Sequence, residues 1–233
     1  MFSKLAGLFM HDLPDFIFPR ACIVCGRTLH RDEDEVCSTC VASLPFTIPD
    51  DGKDSIAELR LAGKFDFERA AFLLEYAPAT PVQKIVESFK YHGNERLAIA
   101  MGRIMAVRME RKHFFDSIDF IIPVPLHREK QKKRGYNQSE DIAKGISSVT
   151  GLPVRTDIME RVHNDGSQTA RSAFDRADAA LGAFRKTAAG GLQGRHCLLV
   201  DDVLTTGATL TGCAAALSGS GLKISVLTLT GVV

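Results

Sequence analysis

The sequence has almost no net charge and no hydrophobic run long enough to cross a membrane. With 29 Lys and Arg against 28 Asp and Glu, the formal charge is +1, so no global basic field attracts nucleic acid and any such surface must be a local patch. No stretch approaches the roughly 18 apolar residues of a membrane span. Residues 1–10 lack the length and cleavage site of a secretory signal. We therefore expect a cytoplasmic chain without membrane insertion.

Several other features are also missing. There are no internal repeats or low-complexity segments, and there is no G-x-x-x-x-G-K-[ST] loop. A haloacid-dehalogenase-type nucleophile would carry its acids two apart and early in its domain, whereas Asp201 and Asp202 are adjacent and late. No Ser, Cys or His nucleophile triad is apparent. What the sequence does have is 45% apolar residues in a length of 233. That is enough for one cored domain and a small appendage.

The first 50 residues hold four of the six cysteines, in two C-x-x-C pairs: Cys22, Cys25, Cys37 and Cys40. Cytosolic cysteines stay reduced, so such a cluster favours metal ligation over disulfides. Two tight turns with two sulfurs each suit a tetrahedral zinc ion, and four thiolates leave no open position. We predict a structural Zn²⁺ site, against the alternatives of coincidental cysteines or a redox pair. Cys197 and Cys213 are predicted to be core residues.

The remaining sequence predicts an α/β domain. We assign residues 1–50 to a zinc knuckle and 53–233 to this domain, with a leading strand and helices in 53–115 and the core sheet in 117–233. Strands are predicted at 71–76, 118–124, 154–162, 197–200 and 224–230, and helices at 81–91, 95–115, 137–150, 171–181 and 209–218. Strands that alternate with helices indicate a parallel sheet.

Residues 197–209, CLLVDDVLTTGAT, carry the strongest functional signal. An apolar strand ends in Asp201 and Asp202, and a turn rich in Thr and Gly then opens a helix. Ligands bind beyond the carboxyl ends of parallel strands, and helix N-terminal amides bind anions. Gly207 permits close approach of a phosphate, and Thr205, Thr206 and Thr209 add hydroxyl donors. The two acids suit sugar hydroxyls or Mg²⁺. The pattern predicts a ribose-5-phosphate pocket; the alternative is a strand-turn-helix connection with an acidic N-cap.

These thirteen residues resemble, at every position, the signature of type I phosphoribosyltransferases that binds 5-phosphoribosyl-1-pyrophosphate (PRPP). The resemblance implies a parallel-sheet type I phosphoribosyltransferase fold. It also implies that Asp201 and Asp202 hold the ribose hydroxyls, which makes them the candidate catalytic residues, and that Mg²⁺ accompanies PRPP. The implied 5-phosphate cradle consists of Thr205, Thr206, Gly207, Ala208 and Thr209.

A narrower resemblance rests on motifs spread along the chain. Besides the four cysteines, these are FKYHG (residues 89–93), PVPLH (123–127), RGYNQ (134–138) and SQT (167–169). In this order they resemble the ComF family, which comprises competence-associated, phosphoribosyltransferase-like proteins with an N-terminal double zinc ribbon. The resemblance implies one of two functions. One is transfer of phosphoribosyl from PRPP to a nucleobase in nucleotide salvage, with release of pyrophosphate. The other is a non-catalytic, PRPP-binding accessory role in DNA uptake, with single-stranded DNA or a protein as partner.

Two further segments are candidate parts of the site. In phosphoribosyltransferases the turn after the first core strand binds pyrophosphate, so the candidates here are Pro125, Leu126, His127, Arg128 and Arg134. The basic run 128–134 either binds pyrophosphate, lies along a nucleic-acid backbone, or is a solvated loop. His127 has either a site role or a packing or surface role. Residues 161–176 fall where type I enzymes have a mobile loop, so Arg161, Gln168 and Arg176 are candidate closing residues, unless this is an ordinary surface loop. The sequence identifies no particular residue that selects a base. If the chain is an enzyme, we expect the hood that recognises the base to come from residues 53–115 or from the zinc knuckle.

Overall fold

The computed structural model describes residues 20–47, 55–91, 93–162, 182–187 and 190–233, except for the side chains of residues 90 and 91. The chain divides into two compact units, Met1–Leu44 and Pro45–Val233. None of the helices in the described ranges has both the length and the apolar character that a bilayer crossing requires.

The described residues of the smaller unit, 20–44, contain little regular structure. An isolated antiparallel bridge joins Ala21 to Thr28, and the short helix α1 (Ser38–Ala42) follows. Among its described residues, the buried apolar side chains other than cysteines are Leu29, Val36 and Leu44. These described residues alone form too small a core to stabilise a fold without a further constraint such as a metal ion.

A parallel sheet forms the centre of the larger unit. Its described strands are β1 (Arg69–Glu75), β2 (Phe120–Pro123), β3 (Met159–Arg161), β4 (Phe184–Lys186), β5 (His196–Leu204) and β6 (Lys223–Gly231). Four of them form an all-parallel sheet in the order β1-β6-β5-β2, and β3 and β4 form a separate antiparallel pair. The predicted parallel α/β fold is thereby confirmed.

Helices cover both faces of this sheet. They are α2 (Ile56–Leu61), α3 (Pro81–Tyr91), α4 (Glu95–Glu110), α5 (Arg128–Arg134), α6 (Gln138–Thr150) and α7 (Ala208–Leu217). On one face, strand residues such as Phe120 and Leu199 share a buried cluster with Leu61 of α2 and Leu210 of α7. The alternate residues, such as Leu198, are buried as well, and α6 contacts β2 and β5. Burial on both faces explains why these strands are apolar throughout.

Helices α4 and α6 cross at two glycines. A Cβ on Gly102 would collide with the backbone carbonyl of Ile142, and a Cβ on Gly145 would collide with that of Ile99. The backbones therefore touch directly, and no residue larger than glycine fits at either position. This close crossing fixes the position of α6, and with it the start of α6 near the carboxyl end of β2.

The structure differs from the sequence prediction in several places. Residues 154–162 are not one strand: Val154 makes an isolated parallel bridge with Ile121, and β3 begins only at Met159. The basic run 128–134 is a helix rather than a loop, because it contains good helix formers and ends at Gly135 in the left-handed conformation (φ +86). The helix predicted at 95–115 ends at Glu110. The helix predicted at 171–181 lies outside the described residues.

Candidate functional site

A cleft of about 370 Å³ opens at the carboxyl ends of β2 and β5. Eight of the residues that the sequence singled out line it: Pro125, Leu126, Arg134, Arg161, Asp201, Asp202, Thr205 and Thr209. Five residues that the sequence analysis did not assign to a site complete the wall: Val124, Asn137, Gln138, Ser139 and Val203. Residues far apart in sequence thus converge where open parallel sheets bind ligands.

The two adjacent acids occupy the end of β5. Asp201 is only 9% exposed, and its Oδ1 accepts hydrogen bonds from Ser139 Oγ and from the Asp202 amide, both at 2.9 Å. The Asp202 carbonyl accepts a hydrogen bond from Thr230 Oγ1 of β6 at 3.1 Å. The sheet and α6 therefore fix the direction of the Asp201 carboxylate.

The N-terminus of α6 forms the opposite wall. Asn137 is its N-cap: Oδ1 accepts from the Ser139 amide at 3.2 Å, while Nδ2 donates to the Val124 carbonyl at 3.1 Å. Gln138 follows, only 4% exposed, and its Nε2 has no hydrogen-bond partner among the described residues. A buried amide without a partner is costly, so Gln138 provides a donor that a ligand oxygen would satisfy.

The turn between β5 and α7 depends on one glycine. Gly207 is the N-cap of α7 with φ +81, a left-handed conformation that favours glycine. A Cβ here would also lie 2.7 Å from Leu61 Cδ2 of α2. Thr205 and Thr209 line the cleft, whereas Thr206, Gly207 and Ala208 belong to the same turn without lining it.

The remaining predicted residues are more dispersed. His127 caps α5, with Nδ1 accepting from the Glu129 amide at 3.3 Å, and Arg128 donates to Glu160 of β3 at 3.0 Å. Neither lines the cleft. Arg161 lies at the end of β3, with its guanidinium 5.1 Å from the centre of the Phe184 ring. Gln168 and Arg176 lie outside the described residues.

The four cysteines of the smaller unit form one cluster. The sulfurs of Cys22, Cys25, Cys37 and Cys40 all lie within 4.8 Å of one another. Cys25 Sγ and Cys37 Sγ are 3.8 Å apart, close to the sulfur–sulfur distance of about 3.8 Å that a tetrahedron with Zn–S bonds of about 2.3 Å requires. The backbone amides of Cys37 and Cys40 each donate to a sulfur at 3.4 Å. The donor set fits zinc.

The surroundings of the cluster favour thiolate at Cys37. The Cys40 amide and the Arg27 guanidinium lower the pKa of Cys37 to about 6. Burial, together with the neighbouring thiols, raises the pKa of Cys40. Cys37 thus supplies negative charge near neutral pH, and a metal ion would replace the protons on the other sulfurs.

A buried carboxylate braces the cluster. Glu33 accepts hydrogen bonds from the His30 amide (3.0 Å), from the Ser38 amide and hydroxyl (both 2.8 Å) and from Arg27 (2.8 Å). These donors lower the pKa of Glu33 to about 2. The Glu33 side chain therefore links the segment after the first cysteine pair to α1, which begins at the second.

Comparison with known proteins places these sites in context. The family model described as the phosphoribosyl transferase domain matches residues 90–230, more than half of the chain. Competence protein F of Haemophilus influenzae is 28% identical over 87% of this chain and 92% of its own length. DNA utilization protein YhgH of Escherichia coli K12 is 28% identical over 66% of this chain and 68% of its own length.

Solved structures are more distant. Leishmania donovani UMP synthase is 18% identical, with a TM-score of 0.36; the match covers 75% of this chain and 32% of that one. The chain thus spans about a third of that enzyme's length. The curated relatives confirm the resemblance to the ComF family that the sequence motifs predicted.

Proposed function

Because the chain belongs to the phosphoribosyl transferase domain family, we propose that its cleft binds PRPP together with Mg²⁺. The observation that carries the proposal is the pair Asp201 and Asp202 at the end of β5, beside a glycine turn that opens α7. Carboxylates accept hydrogen bonds from vicinal hydroxyls, and helix N-terminal amides bind phosphate. No other phosphate motif competes for this assignment in the sequence.

The walls of the cleft divide naturally between the parts of PRPP. Asp201 and Asp202 hold the ribose hydroxyls. The turn seats the 5-phosphate at the edge of the cleft, with Thr205 and Thr209 in the wall and Thr206, Gly207 and Ala208 between them. The pyrophosphate lies on the remaining side of the cleft, which is formed by Pro125, Leu126, Arg134 and Gln138. There the Arg134 guanidinium and the buried Gln138 amide supply hydrogen-bond donors. Carboxylate oxygens are also the ligands that Mg²⁺ prefers, so the donor set suits the ion.

The proposed reaction is displacement at the anomeric carbon of the ribose. A nucleobase nitrogen forms the new C–N bond as the C–O bond to pyrophosphate breaks, and pyrophosphate carries away the electron pair. The protein orients the reactants and stabilises the leaving group with fixed donors and cations. Mg²⁺, when bound, neutralises part of the charge on pyrophosphate.

Thermal denaturation tests PRPP binding. PRPP with Mg²⁺ should raise the melting temperature of the wild-type protein, because the ligand binds the native state preferentially. The double variant Asp201→Asn, Asp202→Asn should lose this shift. Asp116→Asn is the matched control, since Asp116 is an exposed acid paired with His113. A shift that survives in the double variant would contradict the assignment.

Turnover is a separate question with a direct assay. Release of pyrophosphate from PRPP should be measured against a panel of nucleobases, with the double variant as the inactive control. Release that depends on one base identifies the enzyme and its substrate. Binding of PRPP without release with any base favours the accessory function.

That accessory function has its own support. Helix α5 has no buried residue and carries Lys132, Lys133 and Arg134 in its last turn, and relatives are named for competence and DNA utilization. If α5 contacts single-stranded DNA, affinity should fall steeply with salt. The variant Lys132→Ala, Lys133→Ala should reduce the slope of log K against log[salt] by about 1.4, since each phosphate contact contributes about 0.7. Salt-insensitive or absent binding would contradict this function.

We also propose that the cysteine cluster holds one structural zinc ion in the reducing cytoplasm. Four thiolates close the coordination sphere, so the ion would stabilise the fold of the small unit rather than react. Elemental analysis of purified protein should find about one zinc per chain, and a metal-free protein that keeps a folded small unit would contradict the proposal.

A further inference from the structure

Two cationic side chains, from a segment far away in sequence, donate hydrogen bonds to backbone carbonyls of the turn before α7. Arg60, near the end of α2, donates from Nη1 to the Thr205 carbonyl at 2.7 Å. Lys64, three residues after α2, donates from Nζ to the Thr206 carbonyl at 2.8 Å and to the Arg60 carbonyl at 2.5 Å. The contacts with Thr205 and Thr206 each join residues more than a hundred positions apart in sequence.

These contacts also determine where the amides of the turn point. In a planar trans peptide the C=O and the following N–H point in opposite directions. Arg60 holds the Thr205 carbonyl and thereby turns the Thr206 amide away from α2. Lys64 does the same for the Gly207 amide through the Thr206 carbonyl. Among the hydrogen bonds of the described residues, neither amide is used as a donor.

The segment that carries the two cations is itself anchored. Leu61 is fully buried and lies against Gly207 so closely that a Cβ there would be 2.7 Å from Leu61 Cδ2. Ser55 and Glu58 form a capping box at the start of α2. Their side chains also bond the backbone of Ala70 in β1, with Ser55 Oγ donating to its carbonyl and Glu58 Oε1 accepting from its amide at 3.2 Å. The sheet therefore supports α2, and α2 supports the turn.

We propose that Arg60 and Lys64 are positioning residues that preset the Thr206 and Gly207 amides to bind the phosphate monoester of a sugar phosphate. The inference rests on the proposed function, in which this turn seats the 5-phosphate. The two side chains pair with carbonyls that would otherwise repel an anion, and they add positive charge beside it. The segment 53–115, from which a base-recognising hood was expected, thus contributes to the site by supporting the phosphate-binding turn.

Calorimetric titration with ribose 5-phosphate, PRPP and pyrophosphate tests this role. Arg60→Leu and Lys64→Met should each weaken ribose 5-phosphate and PRPP by about tenfold, the lower end for loss of a hydrogen bond to a charged group. Affinity for pyrophosphate should stay unchanged. Lys64→Arg should restore most of the affinity, because it keeps a cationic donor. The matched control is Arg69→Leu, which loses a guanidinium–carbonyl bond to His113 (2.6 Å) at the start of β1.

The outcomes separate the two proposals. If the wild-type protein binds neither ribose 5-phosphate nor PRPP, the proposed function fails, and this inference fails with it. If the wild type binds both and the two variants bind them equally well, only the positioning role is overturned. It is also overturned if the variants lose pyrophosphate to the same extent, or if Arg69→Leu produces the same loss, because either result indicates a general disturbance of the fold.

Discussion

The smaller unit (Met1–Leu44, the small unit) and the larger unit (Pro45–Val233, the sheet unit) hold their proposed ligands by different means. In the small unit, three of the four candidate metal ligands are themselves buried, next to only Leu29, Val36 and Leu44 among the described apolar residues. In the sheet unit, the polar residues of the cleft lie at one end of a sheet whose buried cluster contains none of them. Ligand binding and folding should therefore be one process in the first unit and two separable processes in the second.

The largest effect that distinguishes the units should come from removing the metal ligands. Cys37→Ser with Cys40→Ser leaves two thiolates, and structural zinc contributes about 10–16 kcal/mol to folding in zinc-finger peptides. We expect loss of zinc and unfolding of the small unit, measured by elemental analysis and limited proteolysis. The melting transition of the sheet unit should persist. Cys213→Ala, which alters a buried core thiol, is the thiol control and should keep its zinc.

The next largest effect concerns the sheet unit alone. Gly145→Ala places a methyl group against the Ile99 carbonyl and Gly102, and overpacking of this kind costs about 1–3 kcal/mol or more. Denaturant unfolding should show this loss, while zinc content stays unchanged. Ser148→Ala, at an exposed position on the same helix, should change stability by less than about 0.5 kcal/mol. An equally stable Gly145→Ala protein would mean that the helices separate without cost.

A smaller effect should separate binding from folding within the sheet unit. Ser139→Ala removes the hydroxyl that donates to Asp201 at 2.9 Å, and a hydrogen bond to a charged group contributes about 1.5–3 kcal/mol. Affinity for PRPP should fall by about tenfold, measured by calorimetry, whereas Ser139→Thr should retain most of it. Unchanged affinity in Ser139→Ala would show that Asp201 needs no support from α6.

The smallest effect is a pH dependence in the sheet unit. Burial lowers the pKa of His196, whose ring bonds Ser117 and Ser225 hydroxyls at 3.1 and 2.9 Å. The unfolded chain therefore binds a proton more readily, so His196 stabilises the fold above its ordinary pKa of about 6.5 and this stabilisation is lost as the pH falls through that value. The melting temperature should fall from pH 7.5 to 5.5, and His196→Gln should flatten this slope. An identical slope in both proteins would exclude His196 as the cause of the pH dependence of the melting temperature.

Much of the fold was predictable because burial on both faces leaves an apolar signature in each central strand. The runs predicted at 71–76, 197–200 and 224–230 correspond to the parallel strands β1, β5 and β6 for this reason. The start of the helix predicted at 137–150 agrees with α6 because the signals of a helix start are local. The paired cysteines were predictable for the same reason, since each pair lies within one turn.

The parts that the sequence did not predict depend on tertiary contacts. Helix α5 had no apolar periodicity to mark it, because no residue in it is buried. Ser139 became part of the cleft only through its bond to Asp201, and Arg60 and Lys64 joined the turn only through the packing of Leu61 against Gly207. No local pattern in these segments encodes a partner so far along the chain.

The place of β6 in the sheet also constrains the order in which the chain can fold. β6 lies between β1 and β5, pairing Ser225 with both Arg69 and Leu198. During synthesis β1 emerges long before β6, and among the described residues the backbone pairing on its other edge is limited to an isolated bridge between Leu74 and Phe46. Assembly of the sheet is therefore a late and non-local event, of the kind that slows folding. Until then the edge of the strand Arg69–Glu75 that pairs with β6 lacks its partner, and α2, which is anchored to this strand, is held by an incomplete sheet.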